Sequence, residues 1–161
     1  AVVEPSGKTQ RLGVDLSVRY QPLKWLILNA DFNYAYAVAL DQAANESYIP
    51  LAAEFTSVGG ITINHPIGIK AGLNYRWLGD HPANESYTIT AKGYFVMDAS
   101  ISYTWRRWTG GIIIQNLLNT EWNETQFATE SRLANETTSV EEIHFTPGTP
   151  FFIRGKVSVS F

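Results

Sequence analysis

From Arg11 to Tyr20 apolar and polar residues alternate without a break. Leu12, Val14, Leu16, Val18 and Tyr20 share one parity; Arg11, Gly13, Asp15, Ser17 and Arg19 share the other. Side chains of an extended chain point to opposite faces in turn, so this stretch predicts a strand with one apolar and one polar face. The pattern recurs along the chain. Trp25–Ala37 sets Leu26, Leu28, Ala30, Phe32, Tyr34 and Tyr36 against Ile27, Asn29, Asp31, Asn33 and Ala35. Phe55–Asn64 is a strand weakened by Gly59-Gly60, with Ile61 and Ile63 on its apolar side. Ile69–Trp77 and Lys92–Trp105 alternate again, the latter with Asp98, Ser100, Ser102 and Thr104 on its polar side. Trp108–Leu117 is a strand whose register stays open, because Ile112-Ile113-Ile114 is apolar on both faces. Pro150–Phe161 closes the chain with Phe151, Ile153, Val157, Val159 and Phe161 on one face and Arg154, Lys156, Ser158 and Ser160 on the other. The prediction is all-β: about seven strands and no helix.

The connections follow a rule. Short turns are expected at Gln21–Lys24, Asn64–Gly68 and Trp105–Trp108, and long loops at Val38–Ala53, Leu78–Ala91 and Thr120–Thr149. Short and long links therefore sit at opposite ends of an antiparallel, up-and-down set of hairpin-linked strands. Outer-membrane barrels have short turns on the periplasmic side and long loops outside. Two aromatic groups fit the two membrane interfaces: Tyr20, Trp25, Tyr103, Trp105, Trp108 and Phe161 at the short-turn end, and Tyr34, Tyr36, Tyr75, Trp77, Tyr94 and Phe151 at the long-loop end. The final strand resembles that of bacterial outer-membrane barrels, which alternates and ends in Phe. The resemblance implies that Phe151, Ile153, Val157, Val159 and Phe161 act as the signal read by the barrel-assembly machinery.

Composition narrows the choice. The net charge is −3 and there is no basic run, which argues against a nucleic-acid partner. Cysteine is absent, so neither a disulfide scaffold nor a thiolate metal site is available. No apolar run approaches the roughly 20 residues of a membrane helix, but barrel strands are only about 10 residues long and leave a weaker signal. The chain opens on Ala-Val-Val-Glu and reads as a piece of a longer protein or as a processed chain. Single-chain bacterial barrels have even strand numbers, so seven strands imply either part of a larger barrel or an eighth strand, in Ala1–Gln10 or within Thr120–Thr149. A soluble β-sandwich is the reading from another class; it requires a second sheet over Leu12, Leu16, Leu28 and Ile101.

Five motifs, in order, carry a more specific resemblance. They are Tyr48-Ile49-Pro50-Leu51-Ala52-Ala53-Glu54-Phe55 leading into a strand, Arg76-Trp77-Leu78-Gly79-Asp80 leaving one, Gly93-Tyr94-Phe95-Val96-Met97-Asp98-Ala99, Ile114-Gln115-Asn116-Leu117-Leu118-Asn119, and Thr146-Pro147-Gly148-Thr149-Pro150. Together they resemble the C-terminal barrel strands of TonB-dependent outer-membrane receptors, departing at Leu118, where Phe is commoner, and at Ala53, where Pro is. That resemblance implies a 22-stranded transmembrane β-barrel plugged in its lumen. Residues 1–161 would be its C-terminal portion, with the plug domain and N-terminal strands absent. It also implies residence in the bacterial outer membrane and energised uptake of a scarce nutrient such as a ferric siderophore. The implied partners are outer-membrane lipid, the plug, the remaining strands, and the TonB energy-coupling complex acting through the missing upstream part. A complete small barrel acting as a passive pore or adhesin is the alternative.

No catalytic constellation, metal site or cofactor is indicated. His65, His81 and His144 lack partners at ligand spacing, and Glu141-Glu142 beside His144 reads as a solvated turn. The four Asn-Glu-Ser/Thr runs, at Asn45, Asn84, Asn123 and Asn135, read as polar loop. The candidate site is the polar face of the strands: Arg11, Arg19, Lys70, Arg76, Arg154 and Lys156, set against Asp31 and Asp98, with Asp15 beside them. This basic excess would line the lumen, either pairing with acidic groups of a plug or drawing in an anionic cargo.

Overall fold

The computed structural model describes residues 7–43 and 45–161. The strands are β1 (Thr9–Leu23), β2 (Leu26–Ala39), β3 (Phe55–Asn64), β4 (Ile69–Leu78), β5 (His81–Pro82), β6 (Thr90–Ala91), β7 (Tyr94–Trp105), β8 (Trp108–Gln115), β9 (Asn123–Ser131), β10 (Val140–Pro147) and β11 (Phe152–Val159). Seven of them form one antiparallel sheet in the order β1-β2-β3-β4-β7-β8-β11. Each of the seven expected strands is present, and no helix occurs among the described residues.

Alternation in sequence becomes two faces because the register keeps parity across the whole sheet. One row of directly opposed residues, Tyr20, Leu28, Ile61, Leu73, Ala99, Ile114 and Ile153, crosses all seven strands. Opposed side chains project to the same side, so these rows form a continuous apolar surface. Little of it is covered: Leu12 is 61%, Leu16 55% and Ile101 53% exposed, so no second sheet lies over them and the sandwich reading fails. The wholly buried apolar residues, Ala83, Ala91 and Val96, lie instead on the other side or under the loops.

The short links are tight. The turn between β3 and β4 closes with His65 N–H donating to Ile69 O and Gly68 N–H to His65 O. Gly68 sits at φ +97°, and a Cβ there would strike the Thr104 carbonyl, which is why glycine occupies it. Gly59 tolerates close approach of another kind: a Cβ would meet the Tyr75 ring and the Asn29 carbonyl.

The long links carry structure that alternation did not predict. The 79–93 connection contains the β5–β6 ladder, and the expected polar loop Thr120–Thr149 contains the β9–β10 hairpin, a second two-stranded sheet. β9 and β10 pair only with each other, so they do not supply an eighth wall strand. The first six residues of Ala1–Gln10, the other place considered for such a strand, lie outside the described residues; Thr9 already belongs to β1. β1 and β11 end the sheet without pairing to one another. Four smaller expectations shift. The turn expected at Gln21–Lys24 moves to Lys24-Trp25, because β1 runs on to Leu23 and β2 starts at Leu26. The strand expected over Trp108–Leu117 stops at Gln115 because Asn116 turns to φ +49°. The last strand stops at Val159, leaving Phe161 fully exposed beyond it. Tyr94 pairs with Leu78 on the polar face rather than joining an apolar-face aromatic band.

Candidate functional site

Register places all eight candidate side chains on one face of the sheet. Asp31 stands between Ser17 and Val58, and Arg76 continues that row between Val58 and Val96. Arg19, Asn29, Gly60, Asn74 and Asp98 form the next row. Lys70, Ser102, Gly111 and Lys156 form another, Arg154 stands opposite Ile113, and Arg11 stands opposite Ala37 on the rim. Asp15 shares this face and accepts a hydrogen bond from Asn33 Nδ2.

The structure brings two of the eight together. Arg76 Nη2 lies 3.8 Å from Asp98 Oδ2, both side chains partly exposed, so the pair is a loose, screened contact. Among the described residues no other member of the set has a carboxylate within ion-pair distance. Five cationic side chains, Arg11, Arg19, Lys70, Arg154 and Lys156, thus face open space on one side of the wall.

Around Arg76 and Asp98 the chain builds a closed ring of contacts that alternation could not reveal. Asp98 Oδ1 accepts the backbone N–H of Asn116 at 2.9 Å. The Asn116 side chain is buried. Its Nδ2 donates to Thr120 O and Thr149 O at 2.8 and 3.0 Å, and its Oδ1 accepts from Thr120 N–H at 2.9 Å. Trp122 Nε1 donates to the same Thr149 carbonyl. The Trp122 ring receives the Arg76 guanidinium at 5.2 Å and packs on Tyr94 at 4.8 Å, which returns the ring to its start. Residues 116–122 therefore fold back over the polar face, and Val96 is buried there. The signal for this was in the sequence. Asn tolerates the left-handed conformation better than other non-glycine residues, and both Asn116 and Asn119 take φ +49°.

Behind Trp122 a cleft of about 560 Å³ is lined by Lys92, Asn119, Glu121, Trp122, Phe145 and Pro147. The long loops are tied to one another beside it. Gln126 Nε2 donates to Lys92 O, and its Oε1 accepts from Lys92 N–H. Asn84 is buried, accepts from Thr88 and Ile89 N–H, and donates to Glu141 Oε2. The Asn84-Glu85-Ser86 run is thus used as a loop clasp. His144 stacks on Phe127 at 5.8 Å with Glu142 3.9 Å away. Among the described residues no three His, Asp or Glu side chains converge to hold a metal ion. The chemistry this arrangement can perform is recognition through cations, amides and aromatic faces.

A family model described as "TonB dependent receptor-like, beta-barrel" matches residues 2–117. No curated protein matches the chain. Among solved structures, the chain is similar to the ferric-catecholate import receptor Fiu of E. coli K12 in its closed form, with a TM-score of 0.71 and 18% identity over 96% of this chain and 21% of that one. It is similar to the siderophore receptor PiuA of Acinetobacter baumannii, with a TM-score of 0.70 and 11% identity over 95% of this chain and 22% of that one. It is also similar to the ferric yersiniabactin uptake receptor FyuA of Yersinia pestis, with a TM-score of 0.67 and 14% identity over 96% of this chain and 24% of that one. At these identities the likeness is one of fold, and the chain spans less than a quarter of each structure.

Proposed function

The chain belongs to the TonB-dependent receptor-like β-barrel family, and from that premise we propose that residues 1–161 are the C-terminal stretch of wall in an outer-membrane receptor that takes up a scarce nutrient, such as a ferric siderophore. The family is one of Gram-negative outer-membrane transporters, which are not enzymes. In the proposed arrangement the apolar face of the sheet meets lipid and the charged face meets the lumen. The long connections lie outside the cell and the short turns face the periplasm. Arg11, Arg19, Lys70, Arg154 and Lys156 meet acidic groups on a plug domain that lies upstream and is moved by the TonB complex. The tied loops and the Trp122 cleft contribute to the outer recognition surface.

One observation carries this reading: across seven strands every charged side chain of the sheet falls on one face, and the other face carries none and is largely apolar and open. Arg or Lys at the lipid midplane costs roughly 2–4 kcal/mol, so the partition is what a bilayer enforces. The test is made on the whole receptor in living cells. A cysteine replacing Ser139, in the β9–β10 turn, should react with a membrane-impermeant maleimide, and one replacing Arg107 should not. Whole-cell uptake of radiolabelled iron supplied as ferric chelates should collapse when the proton-motive force is removed. Labelling at position 107 in intact cells, or uptake indifferent to energisation, would overturn the assignment.

A further inference from the structure

The apolar face is not uniformly filled. In the row Ile69, Tyr103, Gly110, Val157 the β8 position has no side chain, and a Cβ built on Gly110 meets nothing within 4 Å. The result is a depression of about 520 Å³ walled by Ile69, Ile101, Tyr103 and Ile112. Gly155, diagonal to Gly110 and opposite Ile112 on β11, opens the same surface one row deeper and also meets nothing within 4 Å. Gly110 does not need to be glycine for its backbone, since its φ is not positive. The gap is therefore space left open rather than the by-product of a strained turn.

The mouth of this depression is cationic. The β7–β8 turn is Arg106-Arg107, about 10 Å along the strands from Gly110 at roughly 3.3 Å per residue. Arg106 stacks its guanidinium over Trp105 at 5.0 Å, and Trp105 lies on the apolar face in line with Tyr103. The cation is thus held on the lipid side of the wall, at its edge. Neither arginine has a carboxylate partner among the described residues. The neighbouring short turns carry Lys24 and His65 and no acidic residue, whereas the long connections carry Asp41, Glu46, Glu85, Glu121, Glu124 and Glu141. A recess for hydrocarbon with unpaired guanidinium groups at its interfacial end is complementary to one kind of molecule, a lipid with an anionic headgroup.

We propose that the depression over Gly110 holds one acyl chain of an anionic phospholipid from the leaflet at the short-turn end, with its phosphate bound by Arg106 and Arg107. This rests on the barrel-wall reading above, because the depression meets lipid only if the apolar face does. The site would fix one lipid in register with the last strands, next to the seam where β11 meets its partner.

The test uses the whole receptor, reconstituted in phosphatidylcholine vesicles doped with phosphatidylglycerol, then extracted and examined by native mass spectrometry. The wild type should retain one phosphatidylglycerol in preference to phosphatidylcholine. Retention should fall at least fivefold in Gly110→Phe, which fills the recess, and in the double variant Arg106→Gln/Arg107→Gln, which removes charge from an exposed turn. Equal retention in all three proteins overturns the proposal. Loss in the arginine variant alone, with Gly110→Phe unchanged, overturns the acyl-chain recess. Should Gly110→Phe not insert, the arginine variant still decides: unchanged preference for phosphatidylglycerol overturns the site. A wild-type receptor that inserts normally but shows no preference overturns the lipid site alone, whereas one that fails to insert overturns the barrel-wall reading and the site with it.

Discussion

Asn116 does the work of several residues. It ends β8 by entering the left-handed region, and its amide then satisfies Thr120 N–H, Thr120 O and Thr149 O from a fully buried position. Replacing it by alanine removes those bonds; Trp122 still donates to Thr149 O, so the N–H and carbonyl of half-buried Thr120 are the groups that lose a partner, at no more than about 1–3 kcal/mol each. Asn116→Ala should therefore loosen residues 116–122 from the polar face. Limited proteolysis of the assembled receptor should show new cleavage between 120 and 149, with the seven-stranded sheet intact. Unchanged protection would mean that Trp122, through Arg76 and Tyr94, holds the segment without it. Both asparagines are visible in the sequence, but their partners are 33 residues apart for Asn116–Thr149 and 32 for Asn119–Phe151, beyond the reach of local pattern.

At the level of the strand, the two faces make opposite demands. Leu73 and Asn74 are neighbours in the middle of β4, the first opposite Ile61 and Ala99, the second opposite Gly60 and Asp98. If the apolar face meets lipid as proposed, Leu73→Arg should cost roughly 2–4 kcal/mol in urea-unfolding experiments on the receptor in liposomes. Asn74→Arg places the cation beside Asp98 on the other face and should cost far less. Equal penalties would remove the case for a lipid-facing side. β11 yields a different expectation. Phe161 lies beyond the last ladder pair, Val159 with Trp108, and packs against nothing in the chain. Deleting it should lower the yield of assembled receptor in cells, while the receptor that does assemble unfolds at an unchanged urea midpoint. A shifted midpoint with normal yield would make Phe161 a packing residue rather than an assembly signal.

On the scale of the whole molecule the open edges dominate. β1 and β11 expose their full lengths, and in hydrocarbon each unsatisfied backbone group costs several kcal/mol. Refolded alone in detergent, this chain should aggregate or oligomerise rather than run as a heat-modifiable monomer on a gel. A compact monomer would mean that seven strands can close by themselves, and would favour the small pore or adhesin. The loops answer to a different logic. Their three connections are cross-tied by Tyr48 N–H to Glu85 O, Leu51 N–H to Pro82 O, Asn84 to Glu141 and Gln126 to Lys92, so they form one body on top of the sheet.

The period-two pattern was enough to determine the seven strands, the two faces of six of them, the alternation of short and long connections and the single face shared by all eight candidate charges; the faces of the Trp108–Gln115 strand were set by its pairing with β7. These follow from a local rule, since parity along a strand is conserved across every antiparallel ladder. Periodicity was silent where polar residues are paired for reasons other than a bilayer. The β9–β10 hairpin, NETQFATES against VEEIHFTP, has no consistent apolar face, and only the tertiary structure revealed it. The tertiary structure alone also decided which charges meet, because Arg76, Asp98, Asn116 and Trp122 come from separate strands and a returning loop. The same holds for the recess over Gly110: a missing side chain becomes a cavity only when Ile69, Ile101 and Tyr103 from neighbouring strands stand around it.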